Sequence, residues 1–306
     1  MPTPLLSSLG LVALLATAPA TPDNPLLRPW TGPYGGVPPF DQVKVEQFQP
    51  AIEAAMAEAL AEIDAIANDP APPTFENTIV AKEKTGRTLD RVMAVFGVYG
   101  STMSTPEFQA VELEVSPKLA AFGDRIIQNE KLFARIAAVY AGRDEAALTP
   151  EQNRLVWLEY TRFVHAGAQL GAEAKERLSA INQRLATLYT QFSQNVLADE
   201  TDHLLVLEEK DLAGLPDSYR AGAAVAAEAS GHPGKWVVLN TRSSMEPFLT
   251  FSERRDLREK VWRTYYSRGD NGDAKDNKAI ITAILALRAE RAKLLGYATH
   301  AHWRLE

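Results

Sequence analysis

The chain has 306 residues, of which 46% are hydrophobic and 23% charged, and its formal net charge at pH 7 is −7. These values are ordinary for a soluble globular protein, and the length suffices for one large helical domain or two smaller ones. The absence of cysteine excludes disulfides, thiolate metal sites and cysteine nucleophiles, and the acidic balance without a Lys/Arg cluster argues against nucleic acid as a partner.

Residues 1–20 have the pattern of a signal peptide. An apolar run from Leu9 to Ala16 precedes Ala18-Pro19-Ala20, which has the A-x-A form of a cleavage site. We therefore expect a periplasmic or secreted protein. No Lys or Arg precedes the apolar run, so the alternative is a disordered extension or a misassigned start codon, with a cytoplasmic location. The run is too short to span a membrane. Residues 21–39, rich in Pro and Gly, are expected to form an extended lead-in.

Helical spacing dominates residues 40–200, which we expect to form a mainly α, bundle-like domain of long helices. One apolar face contains Ile52, Met56, Ala59, Ile63 and Ile66. The prolines at 70, 72 and 73 end this helix, and Thr74 caps the next one, which carries Ile79, Val80 and Leu89 towards Val95.

Two further helix starts and one long helix follow in the same region. Thr105-Pro106-Glu107 and Thr149-Pro150-Glu151-Gln152 each place a hydroxyl at the N-cap and Pro at the first helical position, and Gln152 completes a capping box. From Ala172 onward the apolar residues alternate in steps of three and four, which is typical of a coiled-coil seam. They are Leu178, Ile181, Leu185, Leu188 and Phe192.

In residues 201–306 the pattern predicts a small β insert near residues 203–251, followed by helices. His203–Leu207 and Trp236–Leu239 are short β-branched and aliphatic runs on either side of an Ala-rich helix at about 218–229. The segment PFLTF at 247–251 is a possible third extended piece, and a helix is expected to restart from a cap at Ser252. A subdomain boundary is predicted near Thr201.

The last thirty residues predict one long helix, a break at Gly296 and a short helix capped by Thr299. Ile and Leu residues from 280 to 287 lie at helical spacing, and the charged residues from Arg288 to Lys293 are expected on the solvent side. Two turns are too short for an independent helix. Because Tyr297, Trp303 and Leu305 are also apolar, we expect a truncated chain that exposes a hydrophobic surface.

Several polar residues suggest sites but are better explained structurally. His300 and His302 are two residues apart, so on a helix they point to different sides and cannot share a metal; we expect capping or packing roles for them, and a packed core position for His165. Asp270, Asp273 and Asp276 lack the Glu that a calcium loop needs, since Ile281 occupies that position.

Other residue groups also have structural explanations. Gly269 and Gly272 predict a polar turn between helices rather than a phosphate loop. Ser243-Ser244 has no nucleophile elbow. The aromatic residues Phe96, Tyr99, Phe108 and Phe122 are at core-like spacing.

Five segments in order resemble one family of zinc metallopeptidases, that of peptidyl-dipeptidase Dcp, oligopeptidase A and thimet oligopeptidase. They are FDQVKVEQFQPAIEAAMAE from Phe40, PTFENTIVAKEKTG from Pro73, KERLSAINQRLATLYTQFSQNVL from Lys175, MEPFLTFSERRDLREKVWRTYYSRG from Met245 and LRAERAKLLGYATHAHWRLE from Leu287. The segments FENTIVAKEK and NTRSSMEPFLTF make the bacterial dipeptidyl-carboxypeptidase branch look closest.

This resemblance implies a zinc-dependent oligopeptidase that releases C-terminal dipeptides from short peptides and whose N-terminal helical half forms one wall of a channel. The family's zinc is held by H-E-x-x-H, in which two His bind the metal and the Glu acts as general base. None of the five histidines of this chain is followed by Glu or by a second His four residues on. We therefore expect no catalytic, cofactor-binding or metal residue here, and no activity without a catalytic half. The alternative is a helical module that binds peptides or a partner.

Overall fold

The computed structural model describes residues 23–306, so the predicted signal peptide lies outside the described residues. The described chain is mainly α-helical, as predicted. Its helices are α1 Phe48–Ala67, α2 Ala81–Glu83, α3 Arg87–Thr102, α4 Pro106–Ile127, α5 Glu130–Ala141, α6 Pro150–His165, α7 Ala172–Asp202, α8 Asp217–Ala229, α9 Arg242–Phe251, α10 Arg255–Tyr266, α11 Lys278–Leu294 and α12 His300–Leu305. The strands are β1 Leu205–Leu207 and β2 Trp236–Val238.

A first core forms where α1 packs against α3 and α4. The predicted apolar face of α1 is buried, and Phe48 at its first turn is fully enclosed. Its ring makes edge-to-face contacts with Phe96, Tyr99 and Phe108, with centroids 4.9 to 5.6 Å apart. Such aromatic pairs add to the stabilisation that the buried area supplies, so the expected aromatic core is confirmed. Phe122 packs half-buried at its edge.

A second core lies at the other end of α1, against α5 and α6. Ile63 shares it with Leu132, Ile136 and Phe163. The predicted capping box of α6 is present, because the Thr149 hydroxyl accepts from the Gln152 amide and the Gln152 side chain accepts from the Thr149 amide. These bonds satisfy backbone donors that the first turn leaves without partners.

The long helix α7 joins the N-terminal helices to the C-terminal ones. It packs along α4 on one side and α11 on the other. The predicted seam is confirmed, since Leu178, Ile181, Leu185 and Leu188 are buried and Phe192 is half-buried. Residues of α11 complete this core through Ile284 and Leu287.

The β insert is a two-stranded antiparallel sheet packed on α8 and α9. Leu205 pairs with Val238, and Leu207 pairs with Trp236. Leu207, Met245, Phe248 and Val261 form the core of this part of the chain. The predicted insert is confirmed, while the domain boundary near Thr201 stays a prediction; α7 ends at Asp202, one residue after it.

Three predictions of helix starts and strand positions are wrong. The helix expected from Thr74 towards Val95 begins as a π-helix at Phe75–Val80, continues as α2 and is interrupted after Glu83. Helix α3 begins after Gly86, whose φ of 76° is rarely adopted by residues other than glycine. PFLTF lies in α9 rather than in an extended piece, because helical spacing buries Met245 and Phe248 together. Ser252 does not cap α10; its buried hydroxyl accepts from the Arg254 amide, and the helix begins at Arg255.

Within residues 23–306, no helix combines the length and apolarity that crossing a membrane would require.

Candidate functional site

A cleft of about 370 Å³ lies where α11 and α12 meet α7 and α4. Its apolar wall comes from α4 and α7, including Leu119 and Leu185, and its polar groups come from both sides of the junction. The polar and aromatic lining residues are Asp124, Asn182, Tyr189, Arg291 and Trp303. The cleft therefore joins the C-terminal helices to the long helix.

A chain of hydrogen bonds crosses the cleft. Arg291 Nη1 donates to Asn182 Oδ1 at 3.0 Å, and Asn182 Nδ2 donates to Asp124 Oδ1 at 2.8 Å. The buried atoms Arg291 Nε and Asp124 Oδ2 have no hydrogen-bond partner in the protein. Burial raises the pKa of the Asp124 carboxyl above its ordinary value and lowers that of the Arg291 guanidinium. Both shifts reflect the cost of removing charge from water.

Contacts made by Arg288 and Trp303 hold α11 and α12 at the same junction. Arg288 Nε donates to the Tyr189 hydroxyl at 2.7 Å. The Trp303 ring is stacked on His165 and lies 4.6 Å from the Arg291 guanidinium, within the range of a cation–π contact. Trp303 Nε1 also donates to the carbonyl of His165. Arg288 and Arg291 are thus half-buried at a helix junction, so their predicted solvent-side position is wrong.

The five histidines are placed as follows. His165 is half-buried between α6 and α12 rather than in a core, because Trp303 and Tyr297 cover it only partly. Thr299 caps α12 as predicted, His302 Nδ1 lies 2.7 Å from its hydroxyl, and His300 packs on Trp303. His232 is part of the turn after α8, and His203 follows the end of α7.

The glycines and serines that suggested a phosphate loop or a nucleophile have structural roles. Gly269 and Gly272 have φ of 69° in the turn between α10 and α11, as expected for a helix-to-helix connection. Ser244 lies on α9, and its hydroxyl accepts from the Leu239 amide. That bond ties β2 to α9 and uses the hydroxyl structurally.

An apolar surface occupies the C-terminal helices. Large side chains that are strongly exposed in residues 248–306 include Leu305 at 86%, Tyr266 at 65% and Leu285 at 58%. The ring of Trp262 lies 5.2 Å from that of Tyr266 on α10, and Ile281 lies one turn before Leu285 on α11. Six of the fourteen exposed large hydrophobic residues in the described part of the chain lie in this segment, which makes it a candidate interaction surface.

One grouping has the side-chain types of a metal site. A ligand atom from each of Asp199, His203 and Asp273 lies within 4.8 Å of the other two. Asp199 lies in the last turn of α7, His203 follows the end of that helix, and Asp273 belongs to the turn before α11. Sequence reasoning missed this grouping because Asp273 is distant in the chain, although the i, i+4 spacing of Asp199 and His203 was visible.

Comparison with known proteins shows which peptidases the chain resembles. Residues 248–306 match the model described as Peptidase family M3. The chain is 37% identical, over 92% of its length, to the dipeptidyl carboxypeptidase of Escherichia coli K12. Over most of its length the chain therefore resembles peptidases of family M3. It is 33% identical over 91% of its length to the organellar oligopeptidase A of Arabidopsis thaliana, and 31% identical over 91% to the oligopeptidase A of Salmonella typhimurium LT2.

These identities rank the dipeptidyl carboxypeptidase above both oligopeptidases, in agreement with the branch that the sequence segments indicate. The chain spans only part of each relative, namely 41% of the Escherichia coli protein, 35% of the Arabidopsis protein and 41% of the Salmonella protein.

M3 peptidases are metallopeptidases, and the family resemblance implies zinc. Among residues 23–306, the group of Asp199, His203 and Asp273 is the one set of three ligand-type side chains within reach of a single ion. It contains one histidine and lacks the two helix-borne histidines with an intervening Glu. The described residues therefore do not fit the family's catalytic zinc site.

Proposed function

We propose that this chain is the non-catalytic helical portion of a zinc-dependent oligopeptidase, a peptidyl-dipeptidase that releases C-terminal dipeptides from short peptides. The catalytic zinc would be held by a segment carrying H-E-x-x-H, joined to this chain in cis or bound in trans. One observation carries the proposal: the similarity extends over 92% of this chain but only 41% of the dipeptidyl carboxypeptidase, while the printed sequence contains no H-E-x-x-H.

In this proposal the helices form one wall of the substrate channel. Long packed helices make a stiff wall, and α7 with its buried seam is the longest of them. A stiff wall facing a catalytic segment excludes folded proteins and admits short peptides. The chemistry on the scissile bond belongs to the segment that holds zinc, and this chain contributes shape and positioning.

The exposed face of α11 supports a partner segment on the C-terminal side. Ile284 packs against α7, whereas Ile281 and Leu285 lie on a different part of the helix surface and are exposed. A helix with apolar residues on two sides is expected where both sides are covered in the assembled protein. We propose that the catalytic segment covers the second side.

A complementation experiment tests this function. The 306-residue chain is co-expressed with the H-E-x-x-H-bearing remainder of the Escherichia coli dipeptidyl carboxypeptidase, and cleavage of a blocked tripeptide is measured. We expect no cleavage by the chain alone and cleavage by the pair. The control partner carries Gln in place of the Glu of H-E-x-x-H, and we expect no cleavage with it.

Matched surface variants locate the interface. Leu285→Asp on α11 is compared with Val225→Asp on α8, since both side chains are strongly exposed. We expect Leu285→Asp to abolish complementation and Val225→Asp to leave it unchanged. A monodisperse chain that neither binds nor activates the partner would instead support a self-contained helical module for peptides or another protein.

The location proposed for the protein is periplasmic or secreted, and it rests on residues 1–20, outside the described residues. N-terminal sequencing of the protein recovered from the periplasm tests it. Cleavage after Ala20 is expected, and an intact Met1 on a cytoplasmic product would contradict it.

A further inference from the structure

We propose that Asp199, His203 and Asp273 form a binding site for a divalent transition-metal ion of the Zn²⁺ type, separate from the catalytic zinc of the family. The three side chains join the C-terminal end of α7 to the turn that leads into α11. The metal would fasten this turn to the long helix. The site is made entirely from residues of this chain, so it does not depend on the proposed peptidase function.

Asp199 is the anchor of the site. Its side chain is 1% exposed, and its Oδ2 accepts hydrogen bonds from the Gly269 amide at 2.7 Å and from Asn271 Nδ2 at 2.9 Å. Its Oδ1 is buried and receives no hydrogen bond, although it lies 3.4 Å from His203 Nε2. A buried carboxylate oxygen without a hydrogen bond is costly. A cation at this point would supply the missing partner.

The turn that supplies Asp273 is held in place by the backbone and by Asn277. Gly269 has φ of 69°, and a Cβ there would lie 2.7 Å from Asn277 Nδ2, so glycine is needed for this close approach. Asn277 is itself buried, and its side chain bonds to the carbonyl of Phe192 and to Asn195 on α7. The turn is therefore fixed against α7 before any ion binds.

The spacing of the ligand atoms suits a small ion. Zinc binds His nitrogen and carboxylate oxygen at about 2.0–2.2 Å, so ligand atoms of a tetrahedral site are roughly 3.3–3.6 Å apart. The distance of 3.4 Å between Asp199 Oδ1 and His203 Nε2 already lies in this range. Asp273 is exposed and lies within 4.8 Å of both, so a small side-chain movement brings it into range.

The ligand types and the local charge select the class of ion. An imidazole with two carboxylates is typical of zinc and similar transition metals, whereas Ca²⁺ and Mg²⁺ prefer oxygen ligands alone and more of them. Residues 199–202 and 268–278 contain six carboxylates and three cationic side chains. The cations are paired already: Lys275 with Asp202, Arg268 with Glu200 and Lys278 with Asp270. The excess negative charge favours a cation.

Calorimetry on the tag-free 306-residue chain tests the site. The chain is stripped with a chelator, dialysed and titrated with ZnCl₂, and we expect one zinc per chain. His203→Gln and Asp273→Asn should each weaken binding by at least about tenfold. The matched controls His232→Gln and Asp270→Asn should bind as the unmodified chain does. Circular dichroism confirms that each variant is folded.

A second readout measures the link to folding. A ligand that binds only the folded state raises Tm, and at a tenfold excess over Kd we expect a rise of roughly 2–4 °C. The rise should disappear in His203→Gln. Three results would overturn the proposal: no zinc binding, equal zinc affinity in all four variants, or a preference for Ca²⁺ that His203→Gln leaves unchanged.

Discussion

Helices α1 and α11 have similar apolar content but different surroundings. In α1, eight of twenty residues are buried, from Phe48 to Ala67, and two cores close over its ends. In α11 only Ile284 and Ala292 of seventeen residues are buried, while Ile281 and Leu285 are exposed. Helix α1 is enclosed by other helices of this chain, whereas α11 has one buried side and one side exposed to solvent.

The surroundings of α1 and α11 are therefore stabilised by different kinds of interaction. Around α1 the free energy of folding comes mainly from buried apolar side chains, and this contribution scales with the apolar surface removed from water. Around α11 a larger share comes from specific polar contacts, such as those of Arg288 with Tyr189 and Arg291 with Asn182. Mutations should therefore act differently in the two regions.

The largest expected effect is in the α1 core. Phe48→Ala removes a fully buried ring with three aromatic neighbours and should lower the free energy of unfolding by about 3–5 kcal/mol. Leu285→Ala on α11 should change it by less than about 0.5 kcal/mol, because surface substitutions rarely do more. Urea unfolding of the 306-residue chain measures both. Equal losses would show that α11 is as enclosed as α1.

Ion pairs give the second comparison. Lys82 Nζ lies 2.8 Å from Glu159 Oε2, and both side chains are nearly buried. Lys82→Met leaves that carboxylate buried with only the more distant Arg162 near it, and should cost about 3 kcal/mol. Arg177 and Glu290 join α7 to α11 on the surface, and Arg177→Met should cost less than about 1 kcal/mol.

The same unfolding measurements test the ion-pair comparison. The charge-conserving variant Lys82→Arg serves as the control for the buried pair. A loss at Arg177 as large as that at Lys82 would mean that the α7–α11 contact is far less solvated than its exposure indicates.

Helix caps give a smaller effect. Thr149→Ala removes the hydroxyl of the capping box at α6 and should cost about 1 kcal/mol. Thr299→Ala affects α12, which has six residues and ends the chain, so we expect a smaller loss in global unfolding. Thr149→Ser should recover most of the stability. A larger loss at Thr299 would contradict the view that α1 and its partners dominate.

Much of the fold could be predicted from local patterns. The spacing of apolar residues in α1 and α7 depends only on helix geometry, and the caps at Thr74, Thr105 and Thr149 depend only on nearby residues. The strands were found from β-branched residues bounded by turns. PFLTF, predicted as an extended piece, lies in α9, where burial of Met245 and Phe248 outweighs the poor helix propensity of Pro247.

The candidate sites could not be predicted in the same way. Arg288 and Arg291 look like solvent-side residues until Tyr189 and Asn182, about a hundred residues earlier, are brought beside them. The grouping of Asp273 with Asp199 and His203 likewise depends on how the turn after α10 folds back on α7. Long-range packing decides both, and the spacing of residues in one segment does not contain that information.

The smallest expected effect is a pH dependence at the junction of α4, α7 and α11. Because burial raises the pKa of Asp124 in the folded protein, the folded chain binds this proton more tightly than the unfolded chain does. Between the ordinary Asp pKa and the raised one, the free energy of unfolding therefore falls as pH rises. Asp124→Asn removes the titrating carboxyl and with it this pH dependence of stability.

The difference in unfolding free energy between Asp124→Asn and the unmodified chain should thus grow in favour of the variant from pH 4 to pH 7. Asp256→Asn is the matched control, because Arg254 lowers the pKa of that exposed carboxyl. The corresponding difference for Asp256→Asn should change in the opposite direction, and mainly below the ordinary Asp pKa. If Asp124→Asn instead lost stability relative to the unmodified chain as pH rises, the charged carboxylate would be stabilised by Arg291 more than burial destabilises it. The charge pair of Asp124 and Arg291 would then stabilise the junction rather than destabilise it.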